Sequence, residues 1–223
     1  MDKKISANYR ASQWSPQLAD RYSASWSTKI DIIKDRFESR FINPVSALIY
    51  HNDAAIKRNC GFVVMSIDCL LIETLNQFFL GLRKTNDKYY PGNTNPNYKW
   101  NWQAFRDFFT YSTFFPAFKA DEKLTEEFFS QVRCGLLHQA ESKFNSLINL
   151  KHAEMVIPIV EGDWRKGIVI NRNLFHHAVK NEFEKYLSDL NDPESKNILA
   201  SICGIHVIKK WPHYANKLCS HHN

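Results

Sequence analysis

The string Phe129-Ser130-Gln131-Val132-Arg133-Cys134-Gly135-Leu136-Leu137-His138-Gln139 sets an arginine five positions before a histidine inside an apolar-periodic run. A guanidinium keeps its charge at every working pH and grips phosphate oxygens two at a time, whereas an imidazole accepts or donates a proton near neutrality. Transesterification of a ribose phosphodiester asks for these groups. The substrate brings its own 2′-hydroxyl as nucleophile. The protein must then add a proton acceptor, a proton donor and positive charge for the phosphorane-like transition state, without a metal. One histidine cannot serve as acid and base at once. On an ideal helix, residues five apart point about 140° away from each other. Arg133 and His138 therefore meet only if Gly135 distorts the helix or a second copy of the chain completes the site. A symmetric dimer that packs this helix against its own copy would bring two arginines and two histidines into one cleft on the two-fold axis. The competing reading makes Arg133 a surface or interface charge and His138 a hydrogen-bonded structural histidine.

Two further residues support the pair. Glu73 shares a helical face with Cys69, Asn76 and Gln77, and its carboxylate can orient His138 or pair with Arg133 across a bundle, or be an ordinary boundary ion pair. Gln139 follows the histidine and can contact substrate or simply face solvent. Other constellations offer less. The tail HYANKLCSHHN holds His213, Cys219, His221 and His222, chemically competent for zinc but terminal and without paired-ligand spacing. His176 and His177 are adjacent and cannot face one ligand together, which makes one a boundary and the other an exposed histidine. GxSxG, Walker and HExxH patterns are absent from the sequence, which removes support for the corresponding hydrolases and for P-loop NTPases. No metal and no cofactor are expected.

The elements that must position these residues read as helices. Ile30, Ile33, Phe37 and Phe41 recur at helical spacing behind Thr28, and Asn43-Pro44 should end or bend that helix, with a second short one after it. A long helix is expected over about 56–83, ending near Gly81. Residues 84–100 hold two Pro, one Gly and four Asn and mark a surface connection. A Phe-rich segment broken by Pro116 follows. Asp121 opens the next long helix, where Leu124, Phe128, Val132, Leu136, Ala140, Phe144 and Leu147 advance by fours and threes and predict helix to residue 150. Beyond it, EMVIPIVEGDWRKGIVIN, two short β-branched runs separated by EGDWRKG, predicts a β-hairpin with that separator as its loop. Leu174, Phe175, Val179, Phe183, Tyr186 and Leu190 predict a further helix, and Asp192-Pro193-Glu194 a last one running to about Lys210. The whole is expected to be a single mainly α domain over 1–223. It divides into a loosely packed arm over 1–27, a helical core over 28–150, and a small hairpin with extra C-terminal helices over 151–223.

An arginine, four intervening residues and a histidine in a long helix that follows another long helix resembles the HEPN superfamily of helical ribonucleases. Their hallmark is Arg, four to six residues, then His. The phrase VRCGLLHQAE, preceded by SIDCLLIETLNQFFLGL and followed by INRNLFHHAVKNEFEKYL, extends the resemblance over roughly residues 56–190, to an uncharacterised bacterial branch. The resemblance implies a HEPN-like helical bundle and a homodimer. It also implies metal-independent endoribonuclease activity at Arg133 and His138 that leaves a 2′,3′-cyclic phosphate and a 5′-hydroxyl, in phage defence, a toxin system or a stress response. Its alternative is a catalytically inactive HEPN-like module that binds RNA, a nucleotide or a protein. Two departures bear on this. Cys134 stands where many HEPN enzymes carry a polar residue after the arginine. Ala140 stands where toxins paired with a nucleotidyltransferase antitoxin carry a tyrosine, so that partnership has no support.

Composition is consistent with a folded chain and a polyanionic partner. Over 223 residues, hydrophobic residues are 44% and charged residues 23%, close to globular averages, while only 7 Gly leave little material for an all-β sandwich or a glycine-rich nucleotide loop. Lys and Arg number 29 against 23 Asp and Glu, a mild excess spread over separate pairs rather than a dense basic arm. RNA is the expected partner, with tRNA and mRNA as candidate classes, alongside a regulatory or antitoxin protein. Five cysteines without CxxC spacing point to free thiols in a reducing compartment, and the expected location is cytoplasmic. Residues 60–82 are long enough to cross a bilayer, but Asp68 and Glu73 interrupt them, so a central bundle helix is expected and no membrane partner.

Overall fold

In the computed structural model of the chain, residues 2, 4–13, 24–80 and 100–191 are described. The protein is mainly helical, with one small sheet. The helices are α1 (Ala24–Phe37), α2 (Asn43–Ile49), α3 (Ala54–Asn59), α4 (Gly61–Leu80), α5 (Trp100–Tyr111), α6 (Pro116–Ala120), α7 (Glu122–Glu127), α8 (Cys134–Gln139) and α9 (Arg172–Asn191). The strands are β1 (Leu147–Asn149), β2 (Val156–Glu161) and β3 (Trp164–Asn171). The connection expected over 84–100, apart from Trp100 at the start of α5, lies outside the described residues, as do the helix expected from Asp192 and the His-rich tail.

Two of the helical runs are continuous through a π-helical turn. Glu38–Ile42 joins α1 to α2, and the Asn43 N–H reaches back to the Glu38 carbonyl. Asn43-Pro44 therefore bends the run without ending it. Pro44 has no N–H and would collide with the carbonyl four residues earlier in an α-helix, and the wider turn relieves both. Phe128–Arg133 joins α7 to α8 in the same way, with the Cys134 N–H bonded to the Phe129 carbonyl.

The core is built on phenylalanine. Phe105, Phe108 and Phe109 of α5, Phe115 and Phe118 around α6, Phe128 of the second π turn and Phe175 of α9 are all within 2% of full burial. Phe109 stacks on Phe118 at 4.2 Å between ring centroids, and Phe128 on Phe175 at 5.1 Å. Rings of this size bury much apolar area and prefer such offset and edge contacts. The short segment expected at Pro116 is thus an aromatic anchor: Pro116 starts α6, and Phe115 and Phe118 plug the core. Helix α4 runs through the middle, with Met65, Ile72, Leu75 and Phe78 at most 1% exposed. Its length and apolarity would suffice to cross a membrane, yet here most of it is a core helix.

Asp68, the acid that interrupts its apolar run, is fully buried and receives His176 of α9, Nδ1 to Oδ1 at 2.8 Å. Arg172, also buried, donates to the Lys57 and Arg58 carbonyls at the end of α3. It has room because position 61 is glycine; a Cβ there would lie 2.8 Å from Nη1.

The sheet has the order β1-β3-β2. The hairpin β2–β3 is antiparallel with Gly162 (φ +59) in its tight turn, so the strands extend into the stretch expected as loop. β1 pairs parallel with β3, Leu147 opposite Val169, where the apolar spacing to residue 150 predicts helix. Arg165 ties the hairpin to α7 through Asp121 and Glu127, the latter at 3.4 Å. In the N-terminal arm, residues 4–13 dock on the body: Ile5 is fully buried, Arg36 donates to its carbonyl, and Asn8 bonds both oxygens of Asp35.

Candidate functional site

Asp121 caps α7 by accepting from the Lys123 N–H, and Leu124, Phe128, Val132 and Leu136 are buried as their spacing predicts. The series stops there. The helix ends at Ala140, which adopts a left-handed conformation (φ 55), and not at residue 150. Of the later members, Phe144 is 82% exposed, also at positive φ, and Leu147 is 53% exposed in β1.

Gly135 has a role other than the one expected of it. Its helix, α8, is regular, and the distortion lies one turn earlier in the π turn. A Cβ on residue 135 would meet the Glu141 carbonyl oxygen at 2.3 Å and the Lys143 nitrogen at 3.2 Å. Glycine lets the chain fold back along the helix after Ala140, where the Lys143 N–H bonds the Gln131 carbonyl at 2.8 Å.

Arg133 ends the π turn and points across to α4. Its Nη2 lies 3.4 Å from Glu73 Oε2, its guanidinium stands 5.4 Å from the centroid of the Phe129 ring, and its side chain is only 12% exposed. Its Nε is buried and has no hydrogen-bond partner among the described residues. The Glu73–Arg133 pairing across the bundle is thus present. His138 is exposed in the last turn of α8, as is Gln139. No hydrogen bond or ion pair among the described residues joins Arg133 to His138, and the regular turn of α8 between them keeps their directions apart. A groove of about 210 Å³ separates α4 from Leu137, walled by Ser66, Leu70, Glu73 and Gln77. Beside it α4 exposes Phe62 (41%), Val63 (52%) and Leu70 (45%), and Leu137 (48%) continues this apolar stripe to His138.

Cys69, at the floor of the groove, is buried, and burial pushes its thiol well above the ordinary range, which leaves it protonated and unreactive. Cys134 faces the other way, into a cavity of about 750 Å³ between α5 and the second π turn, with Trp102, Phe129, Ser130 and Lys143 also in its walls. No periodic pattern in the sequence marks this cavity, because its walls come from separate helices and a loop. The described residues hold no cluster of three or more His, Cys, Asp or Glu placed for a metal.

Of the two adjacent histidines, expected as one boundary and one exposed, His176 is fully inside at 2% exposed, and its Nε2 lies 3.5 Å from Ser46 Oγ. Ser46, His176 and Asp68 stand in the order of a nucleophilic triad, but the imidazole is sealed inside the bundle where no substrate reaches it. Burial raises the Asp68 carboxyl, against the lowering effect of its His176 hydrogen bond. The trio ties α2, α4 and α9 together. His177 is exposed and bonded to the Tyr50 hydroxyl at 2.7 Å. No sequence-family profile, no curated protein and no solved structure matches this chain.

Proposed function

We propose that the chain is a metal-independent endoribonuclease of the HEPN type, acting in the cytoplasm as a homodimer. The observation that carries this reading is the divergence of its two chemical groups. Arg133 is half-sunk against Glu73, while His138 stands exposed at the end of an apolar stripe formed by Phe62, Val63, Leu70 and Leu137. Covering that stripe with a second copy buries apolar area and sets His138 of one subunit toward Arg133 of the other across a two-fold axis.

In such a cleft one His138 takes the proton from the ribose 2′-hydroxyl as its oxygen attacks phosphorus. The His138 of the partner subunit gives a proton to the departing 5′-oxygen. Arg133, held in direction by Glu73, neutralises the charge on the non-bridging oxygens, and Gln139 lies beside the histidine to contact substrate. The products are a 2′,3′-cyclic phosphate and a 5′-hydroxyl. The biological setting consistent with this activity is RNA restriction in phage defence, a toxin system or stress, under the control of a regulatory protein.

A second reading, a non-catalytic HEPN-like module binding RNA, a nucleotide or a protein, is favoured by one observation. Arg133 is already ion-paired with Glu73, which offsets the positive charge a transition state would draw on. The purified protein and its His138→Ala variant, incubated with total RNA and with tRNA in EDTA, separate the two. Cleavage by the wild type alone with cyclic phosphate ends is the expected result. Equal behaviour of both proteins, with RNA or partner binding retained, overturns catalysis in favour of the second reading.

A further inference from the structure

The 750 Å³ cavity beside the second π turn lies outside the Arg133–His138 pair and has the makings of a recognition pocket. Two aromatic walls face it, Trp102 from α5 and Phe129 from the π turn. The indole N–H of Trp102 is buried and meets no acceptor among the described residues, an uncommon state that costs free energy unless something brought in from outside accepts from it. Lys123 and Lys143 line it with two cations, and the exposed Glu122 and Glu126 with two carboxylates. The lining therefore combines apolar rings, a buried indole donor, two cations and two carboxylates. A planar heterocycle with both acceptor and amino groups, attached to a phosphate, complements these groups.

Phe129 connects this pocket to the proposed site. Its ring helps wall the cavity while the Arg133 guanidinium stands 5.4 Å from the ring centroid. A base seated there is therefore about one nucleotide from the arginine. We infer that the pocket between Trp102 and Phe129 binds an unpaired purine base of the RNA substrate, selecting where the strand is presented to Arg133. This rests on the ribonuclease reading for the source of the base. The chemistry of the pocket itself, stacking plus an indole donor and a carboxylate acceptor, does not. Stacking on aromatic side chains is the common way a protein holds unpaired bases, and the exocyclic amino group of a purine gives Glu126 a partner that uracil lacks.

The test uses the full chain carrying His138→Ala, so that RNA is bound without being consumed. Fluorescent oligouridine is compared with the same oligomer holding one internal guanosine or adenosine, and GMP and AMP are titrated as free-nucleotide competitors. The purine-containing oligomer is expected to bind about tenfold more tightly, within the range that one base on an aromatic platform commands. Trp102→Phe, which keeps a ring and removes the N–H, and Glu126→Gln should each shrink that preference, while Lys143→Ala should weaken all oligomers alike and lower the salt dependence. Equal binding of uridine and purine oligomers, an undiminished preference in Trp102→Phe, or a changed oligomeric state in place of a changed affinity would overturn the pocket. Cleavage with cyclic phosphate ends in the wild type, together with any of these, leaves the ribonuclease reading standing. Binding of GMP or AMP that depends on Trp102, in a protein that neither binds nor cuts RNA, overturns RNA as the source of the base.

Discussion

Two helical runs in this chain widen into a π turn, and the two turns have different origins. The first, Glu38–Ile42, is followed at once by Pro44, and a proline two residues into α2 requires the adjustment wherever it occurs. Only Ile42 of that turn is buried. The second, Phe128–Arg133, has no proline near it. It advances fewer degrees per residue than an α-helix, which lets the adjacent Phe128 and Phe129 and then Val132 all bury. It ends by aiming Arg133 at Glu73. The first turn is local steric chemistry legible from one residue. The second is imposed by packing and serves the site, consistent with the frequent occurrence of such turns at functional positions.

The contrast can be broken most sharply at Phe128. Phe128→Ala removes a fully buried ring that packs on Phe105, Phe109, Phe118 and Phe175, and should cost about 3–5 kcal/mol in denaturant unfolding. Phe41→Ala in the first turn, where the side chain is half-buried, should cost roughly 1–2 kcal/mol. Equal costs would remove the distinction. Next comes Arg133→Ala, expected to lower the rate of RNA cleavage on the order of 10²–10³-fold, as loss of one charge-stabilising donor does, while Arg40→Ala leaves the rate unchanged. Gly135→Ala should destabilise by about 1–3 kcal/mol, because the added carbon meets backbone atoms of the returning chain that cannot swing aside. Smallest in energy is Pro44→Ala, within about 1 kcal/mol, and its readout is structural: the first π turn closes to α-helix and the second does not.

Acid titration sharpens the same contrast. Glu127, which leads into the second turn, is buried, and that burial pushes its carboxyl above its ordinary value near 4.5, with Arg165 pulling the other way. The folded chain thus holds this proton more tightly than the unfolded chain does. The stabilising contribution of Glu127 is present at low pH and is lost as pH rises from about 4.5 through the raised value. Asp121, held low by its hydrogen bond from Arg165, contributes in the opposite sense, its stabilisation lost as pH falls. Glu127→Gln should flatten the first slope and leave the second, measured as unfolding free energy against pH.

Helix periodicity carried much of the fold in the sequence: Leu124, Phe128, Val132 and Leu136 are buried as spacing requires, as are Phe175, Val179, Phe183, Tyr186 and Leu190 of α9, while Leu174, the first of that series, is exposed. It failed where the spacing persisted without meaning. Ala140, Phe144 and Leu147 continue the pattern by fours and threes, yet Ala140 turns left-handed without the glycine that usually announces a helix end. The hairpin was readable but its two-residue turn was not, because EGDWRKG reads as connection where most of it pairs as strand, and the parallel partner β1 had only three residues to show itself. At the candidate site, the Glu73–Arg133 pair was foreseeable as one of the contacts opposite charges on two adjacent helical runs can make, although the π turn that aims Arg133 was not. The His176–Asp68 bond was not, because adjacency of two histidines says nothing about which one faces inward. Trp102 escaped notice because an orphaned indole donor is visible only once its neighbours are placed.

The parallel pairing of β1 with β3 also bears on the order in which the chain assembles. Hairpin β2–β3 closes over a two-residue turn and can form early, but β1 has its partner strand about twenty residues downstream and must wait for that strand to exist. It is a three-residue edge, and its amides should be the first in the sheet to exchange with solvent. The chain leaving His138 is held first where the Lys143 N–H meets the Gln131 carbonyl and only then by β1, so the sheet end of that connection is the part that arrives last in folding and opens first thereafter.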